Sequence, residues 1–116
     1  MSIEKYLAFD LGASSGRAIV GIFKDDDLEL HEIHRFPNRM VHVLGHFHWD
    51  ILQLFNEIKT GLAKTSAAGH KDIRSIGVDT WGVDFGLIGR NNVLLGNPYA
   101  YRDISDAPMN SVLNKI

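Results

Sequence analysis

The chain has 116 residues, 45% of them hydrophobic and 22% charged, with 12 Lys and Arg against 14 Asp and Glu for a formal charge of −2. That length closes one small domain of globular rather than disordered composition, and the near-neutral charge offers no basic surface for a nucleic-acid backbone. The absence of Cys excludes a disulfide scaffold, a cysteine nucleophile and a thiolate zinc site. No apolar run approaches the ~18 residues of a membrane span, and Met1-Ser2-Ile3-Glu4-Lys5 lacks the build of a secretory signal, so no membrane partner and a cytoplasmic location are expected.

Tyr6-Leu7-Ala8-Phe9 is a short apolar run stopping at Asp10, which reads as a buried strand. Leu11 to Arg17 is small, polar and Gly-rich, a tight turn. Ala18 to Phe23 is rich in β-branched residues and reads as a second strand. Asp25-Asp26-Asp27 is the next turn, a solvated loop, and Leu28 to Phe36 is a third strand broken by Pro37. Connections this short favour antiparallel neighbours. Val41, Val43 and Phe47 alternate with His and Gly, predicting a hairpin around Gly45.

Asp50 is suited to cap a helix, with Gln53 completing a capping-box pattern. Ile51, Leu54, Phe55, Ile58 and Leu62 form its apolar stripe, and Gly69 stops it. Ile76 and Val78 alternate with Ser75 and Gly77 as a strand. Asp79-Thr80-Trp81-Gly82 interrupts, then Val83, Phe85 and Leu87 resume the alternation. Arg90-Asn91-Asn92 makes a turn, and Val93-Leu94-Leu95 reads as a return strand. Pro98 starts an extended piece ending at Tyr101-Arg102-Asp103. Met109, Val112, Leu113 and Ile116 predict a last helix with Asp106 as its cap and Pro108 in its first turn. Three strands, a helix and a further strand predict an α/β chain with a mixed sheet, where a doubly wound sheet would alternate strand and helix from the start.

The segment Asp10-Leu11-Gly12-Ala13-Ser14-Ser15-Gly16-Arg17 is suited to phosphate. Gly12 and Gly16 permit positive φ and lack Cβ, so backbone N–H groups can converge on an anion. Ser14 and Ser15 add hydroxyl donors, and Arg17 adds a permanent fork-shaped charge. Asp10, at a strand end, can hold Mg²⁺ through water. No Gly-Lys-Ser/Thr and no G-x-G-x-x-G is present, so neither a Walker loop nor a dinucleotide loop is read. A plain Ser/Gly hairpin turn remains the bland alternative.

This segment resembles the first phosphate motif of the superfamily that unites actin, the heat-shock chaperones and the sugar kinases. That motif joins the first two strands of a ribonuclease-H-like domain. Glu32-Ile33-His34-Arg35-Phe36, Trp49-Asp50, the run from Ser75 through Asp79-Thr80-Trp81-Gly82-Val83-Asp84 to Phe85, and Ala100-Tyr101-Arg102-Asp103 resemble, in the expected order over nearly the whole chain, the rhamnulose-phosphorylating branch of the FGGY family of carbohydrate kinases.

The resemblance implies a ribonuclease-H-like mixed sheet. It implies that residues 1–116 are the N-terminal portion of the first, incomplete domain of a two-domain enzyme, the second domain being absent. It further implies ATP- and Mg²⁺-dependent phosphorylation of L-rhamnulose at its terminal hydroxyl. By carry-over, Ala13, Ser14, Ser15, Gly16 and Arg17 face the ATP phosphates, Asp10 is the magnesium-side carboxylate, and Thr80, Trp81, Gly82, Tyr101 and Asp103 contact the sugar. The physical reading agrees: Trp81 offers a flat face for C–H groups, and Gly82 admits close approach. Asp79 and Asp84 can accept sugar hydroxyls, with a capped strand end the alternative for Asp79 and core packing the alternative for Trp81 and Tyr101. The family's general base, second phosphate motif and adenosine motif find no counterpart in these 116 residues, so no catalytic base is assigned and the chain alone is expected to be inactive.

After Asp103 the family often continues Ser-Arg, where this chain has Ile104-Ser105. Two other function classes compete: a noncatalytic nucleotide-binding module of the same superfamily, and a self-assembling piece that forms a homodimer through exposed core. His42, His46 and His48 cluster on the hairpin, where exposed strand histidines or sugar-side hydrogen bonding are favoured over metal binding.

Overall fold

The computed structural model describes residues 2–101 and 103. It contains strands β1 (Ile3–Leu11), β2 (Ser15–Lys24), β3 (Asp27–Pro37), β4 (Met40–Val43), β5 (His46–Trp49) and β6 (Ile73–Asp79), with helix α1 (Ile51–Ala67) between β5 and β6. They fall into two compact units, Met1–Arg39 with Leu52–Trp81, and Met40–Ile51 with the chain from Gly82 onward. Among the described residues no helix is long and apolar enough to cross a membrane.

The first unit is a four-stranded mixed sheet in the order β3-β2-β1-β6. β1, β2 and β3 pair antiparallel, and β1 pairs with β6 in parallel. The loops dictate that pattern. Lys24 pairs with Asp27 across only Asp25 and Asp26, whose φ values of 52° and 69° make the left-handed turn that matches the twist of a hairpin. The parallel β1–β6 pair needs a crossover, and the segment carrying α1 supplies it. The strands run longer than the apolar runs alone predict, and the expected turn from Leu11 to Arg17 shrinks to Gly12–Ser14. β3 stops at Pro37 as expected, its last residue paired with Ser15 on an outer strand where a missing N–H is tolerated.

One face of this sheet carries the core: Leu7, Phe9 and Leu11 of β1, Ala18 and Val20 of β2, and Phe36 of β3 are all buried. Helix α1 lies on that face through Gly61. A Cβ there would sit 2.7 Å from the Phe9 ring and 3.1 Å from Ala18 Cβ, so only glycine allows the approach. This rotates the helix away from its expected contact line. Leu54, Gly61 and Thr65 are buried, while Phe55 is 59% exposed. Close packing of the backbone over Phe9 prevails here over burial of the largest apolar side chain. The Thr65 hydroxyl donates to the Gly61 carbonyl at 2.7 Å. His34 of β3 bridges Glu57 (2.6 Å) and Lys64 (2.9 Å) of α1. Gly69, at φ 93°, ends the helix region with His70 N–H bonded to the Thr65 carbonyl, as its sequence position predicts.

In the second unit β4 and β5 form the expected hairpin, with Leu44 and Gly45 at φ 53° and 82° in its turn. The chain at Pro98–Ala100 runs beside β5: Trp49 N–H donates to the Pro98 carbonyl, Ala100 N–H to the Phe47 carbonyl, and His48 bridges to Tyr99. Trp49 is fully buried. The strands expected at Val83–Leu87 and Val93–Leu95 are not formed. Ile88 and Leu94 make a single antiparallel bridge around the Arg90–Asn92 turn, where Asn91 and Asn92 take φ 57° and 60°. Their alternation lacks a ladder to stand in: Val83, Phe85, Leu87, Val93 and Leu95 are all exposed. The helix expected at Met109–Ile116 lies outside the described residues.

Candidate functional site

The β1–β2 turn is held from below. Gly12 N–H donates to the Ser15 carbonyl at 2.9 Å, Asn38 Nδ2 donates to the Gly12 carbonyl at 2.9 Å, and Asn38 N–H donates to the Ser14 carbonyl at 3.0 Å. Asn38 is itself buried. The carbonyls of Gly12, Ser14 and Ser15 are thereby occupied, while the amides of Ala13 and Ser14 have no acceptor among the described residues. Neither Gly12 nor Gly16 takes positive φ, contrary to the expectation from sequence. They are required for closeness: a Cβ on Gly12 would lie 2.8 Å from the Ser15 carbonyl oxygen, and one on Gly16 would lie 2.2 Å from the Phe36 ring.

Register aligns a row of charges across the sheet: Arg35, Arg17, Asp10 and Asp79 are successive partners on β3, β2, β1 and β6. Arg35 is engaged by Glu32 at 2.6 Å. Arg17 Nε lies 3.5 Å from Asp10 Oδ2, an ion pair without hydrogen-bond alignment. That nitrogen is shielded from solvent and has no hydrogen-bond partner among the described residues. A shielded guanidinium N–H without an acceptor is costly unless a further group completes it.

The second unit gathers other predicted residues. Asp103 accepts from Phe47 N–H at 2.8 Å and from His46 Nδ1 at 3.0 Å. The Phe47 amide first, and the His46 ring second, hold its carboxyl below the ordinary Asp range. The Trp49 indole N–H donates to Asp84, and the Trp49 ring stands 6.3 Å from that of Tyr101. Asp84 thus anchors a buried indole. A Cβ on Gly82 would meet nothing within 4 Å, so packing does not demand glycine there. Thr80 and Trp81 follow β6 in the first unit, exposed and half-buried.

A protein named rhamnulokinase from Bacteroides thetaiotaomicron is 52% identical over 100 residues, which is 86% of this chain and 20% of that protein. One of the same name from Mannheimia succiniciproducens is 47% identical over 105 residues, 89% of this chain and 22% of that protein. The chain is rhamnulokinase-like in sequence. It spans about a fifth of the length of the curated relatives it matches. No protein-family model matches it. The crystal structure of a gluconate kinase from Lactobacillus acidophilus superposes with a TM-score of 0.76 at 12% identity, over 98% of this chain and 22% of that one. The fold is therefore that of the sugar kinases, the ribonuclease-H-like mixed sheet expected from sequence.

In this rhamnulokinase-like chain the structure brings Asp10, Ala13, Ser14, Ser15, Gly16 and Arg17 together at one end of the β1–β2 pair. Tyr101 and Asp103 sit with Trp49 and His46 in the second unit. Two amides, two hydroxyls and a half-exposed guanidinium suit a phosphate, and one half-exposed carboxylate suits a magnesium ion that keeps most of its waters. Sequence reasoning missed Asn38 and Phe36, the residues that shape the turn. Asn directly after the strand-ending Pro37 was the available signal, since Asn side chains serve backbone groups at strand ends.

Proposed function

We propose that this chain is the N-terminal portion of a kinase that transfers the terminal phosphoryl group of ATP to L-rhamnulose in the cytoplasm. The observation that carries the reading is the β1–β2 turn itself, whose amides at Ala13 and Ser14 have no acceptor among the described residues, beside the half-exposed guanidinium of Arg17. In this reading those amides, the hydroxyls of Ser14 and Ser15, the Gly16 backbone and Arg17 grip the nucleotide phosphates. Asp10 holds Mg²⁺ through water, and the ion when bound neutralises phosphate charge. Thr80, Trp81, Gly82, Tyr101 and Asp103 serve the sugar. The sequence relatives support the substrate through their name, and the turn supports the phosphate chemistry. Positioning and charge neutralisation are supplied here, whereas no residue of this chain is assigned as general base, so the 116 residues alone give no turnover. The exposed edge of β6 further supports self-association of the chain as a homodimer.

Calorimetric titration of the chain with MgATP tests this. Saturable binding is expected, weakened about tenfold or more in Arg17→Gln because a charge-assisted hydrogen bond is lost, and not restored in Arg17→Lys because the fork geometry is absent. Equal affinity in the wild type and Arg17→Gln overturns the assignment. Rhamnulose-dependent ATP turnover by the chain alone overturns the expectation of inactivity.

A further inference from the structure

The second unit contains an open cleft of about 470 Å³ whose carbon walls include Val83, Phe85, Leu87 and Tyr99, with His46 and Asp103 at its polar edge. Its size and its pairing of apolar walls with a few convergent polar groups are those of a small-molecule site. Asp103 is fixed by two donors, the Phe47 amide and His46 Nδ1. An ionised carboxylate only accepts, so Nδ1 carries a proton, and the tautomer this bond selects leaves the lone pair on Nε2. The edge of Tyr99, 5.3 Å away between ring centres, braces the same ring. Nε2 has no partner among the described residues. Asp84, the other carboxylate of the cleft, is engaged by Trp49.

We propose that His46 is a specificity-determining residue of this cleft: its Nε2, oriented by Asp103, accepts a hydroxyl of a 6-deoxyketose whose C–H groups and methyl lie on Phe85, Leu87 and Tyr99. The choice of a deoxyketose rests on the kinase reading above, while the His46–Asp103 geometry does not. Asp103 acts through His46 and is a positioning residue. A site built to accept a hydroxyl discriminates through the group left unpaired when that hydroxyl is missing, and carbon walls favour a methyl over a hydroxymethyl end.

The test is NMR titration of the ¹⁵N-labelled 116-residue chain with L-rhamnulose and, separately, with MgATP. Saturable shifts at Phe47, Leu87 and Tyr99 are expected with the sugar. His46→Phe keeps a ring against Tyr99 but no acceptor, and is expected to bind about tenfold more weakly. His46→Gln restores an acceptor and is expected within about threefold of the wild type. The Trp49 indole resonance reports in each variant that the unit is folded. L-Rhamnulose affinity unchanged in His46→Phe, shifts confined to other residues, or no saturable sugar binding overturns the inference. MgATP shifts at residues 12–17 alongside any of those results leave the kinase reading standing, and loss of both sinks the two together.

Discussion

Asn38 Nδ2 donates to the Gly12 carbonyl at 2.9 Å, joining residues 26 positions apart. The same residue's amide donates to the Ser14 carbonyl, so one buried side chain and its backbone engage two carbonyls of the turn. Asn38→Ala removes the side-chain donor and leaves the Gly12 carbonyl with no replacement. A loss of about 1–2 kcal/mol in urea unfolding is expected, together with weaker MgATP binding. Stability and affinity both at wild-type values would show that the turn does not depend on Asn38.

Gly16 touches the Phe36 ring so closely that any Cβ must displace it. Gly16→Ala is expected to cost about 1–3 kcal/mol, the usual range for overpacking. Shrinking the opposing ring in Gly16→Ala/Phe36→Leu should recover part of that loss. A double-mutant cycle in thermal or urea unfolding measures the coupling. Strict additivity would mean that Phe36 is not what excludes a side chain at Gly16.

Asp103 is held below its ordinary pKa of 3.8, chiefly by the Phe47 amide and then by His46. A carboxyl depressed in the folded state contributes stability above its unfolded pKa and loses it as pH falls through the folded value. The Trp49 indole resonance, followed in an acid titration, should therefore show the second unit weakening from about pH 4 downward. Asp103→Asn should be less stable at neutral pH and lack this part of the acid dependence. An identical acid limb in the variant would place its origin elsewhere.

Among the described residues β6 ends the strand order, and its Ile76 and Val78 are 54% and 59% exposed. An unpaired edge with apolar neighbours is a template for a second strand. Sedimentation velocity is expected to show a concentration-dependent dimer, converted to monomer by Ile76→Lys with Val78→Lys. A monomer at every concentration would remove the edge from the account.

Much of this arrangement is local and was therefore legible. The Asp25-Asp26 and Gly45 turns, the helix after Asp50 and the stop at Gly69 follow from backbone preferences within a few residues. The turn between Asp10 and Arg17 was readable for the same reason, because its small and polar residues are neighbours in the chain. Alternation misled at Val83–Leu87, since a strand exists only where a partner offers a ladder. Tertiary structure alone decided that Gly16 is glycine because of Phe36, that Gly61 rather than Phe55 meets the sheet, and that Asp103 orients His46 from 57 residues away. The physical reason is the range of the forces: torsional preference and turn chemistry are written in adjacent residues, whereas close packing and buried hydrogen bonds depend on which distant segments the register brings together.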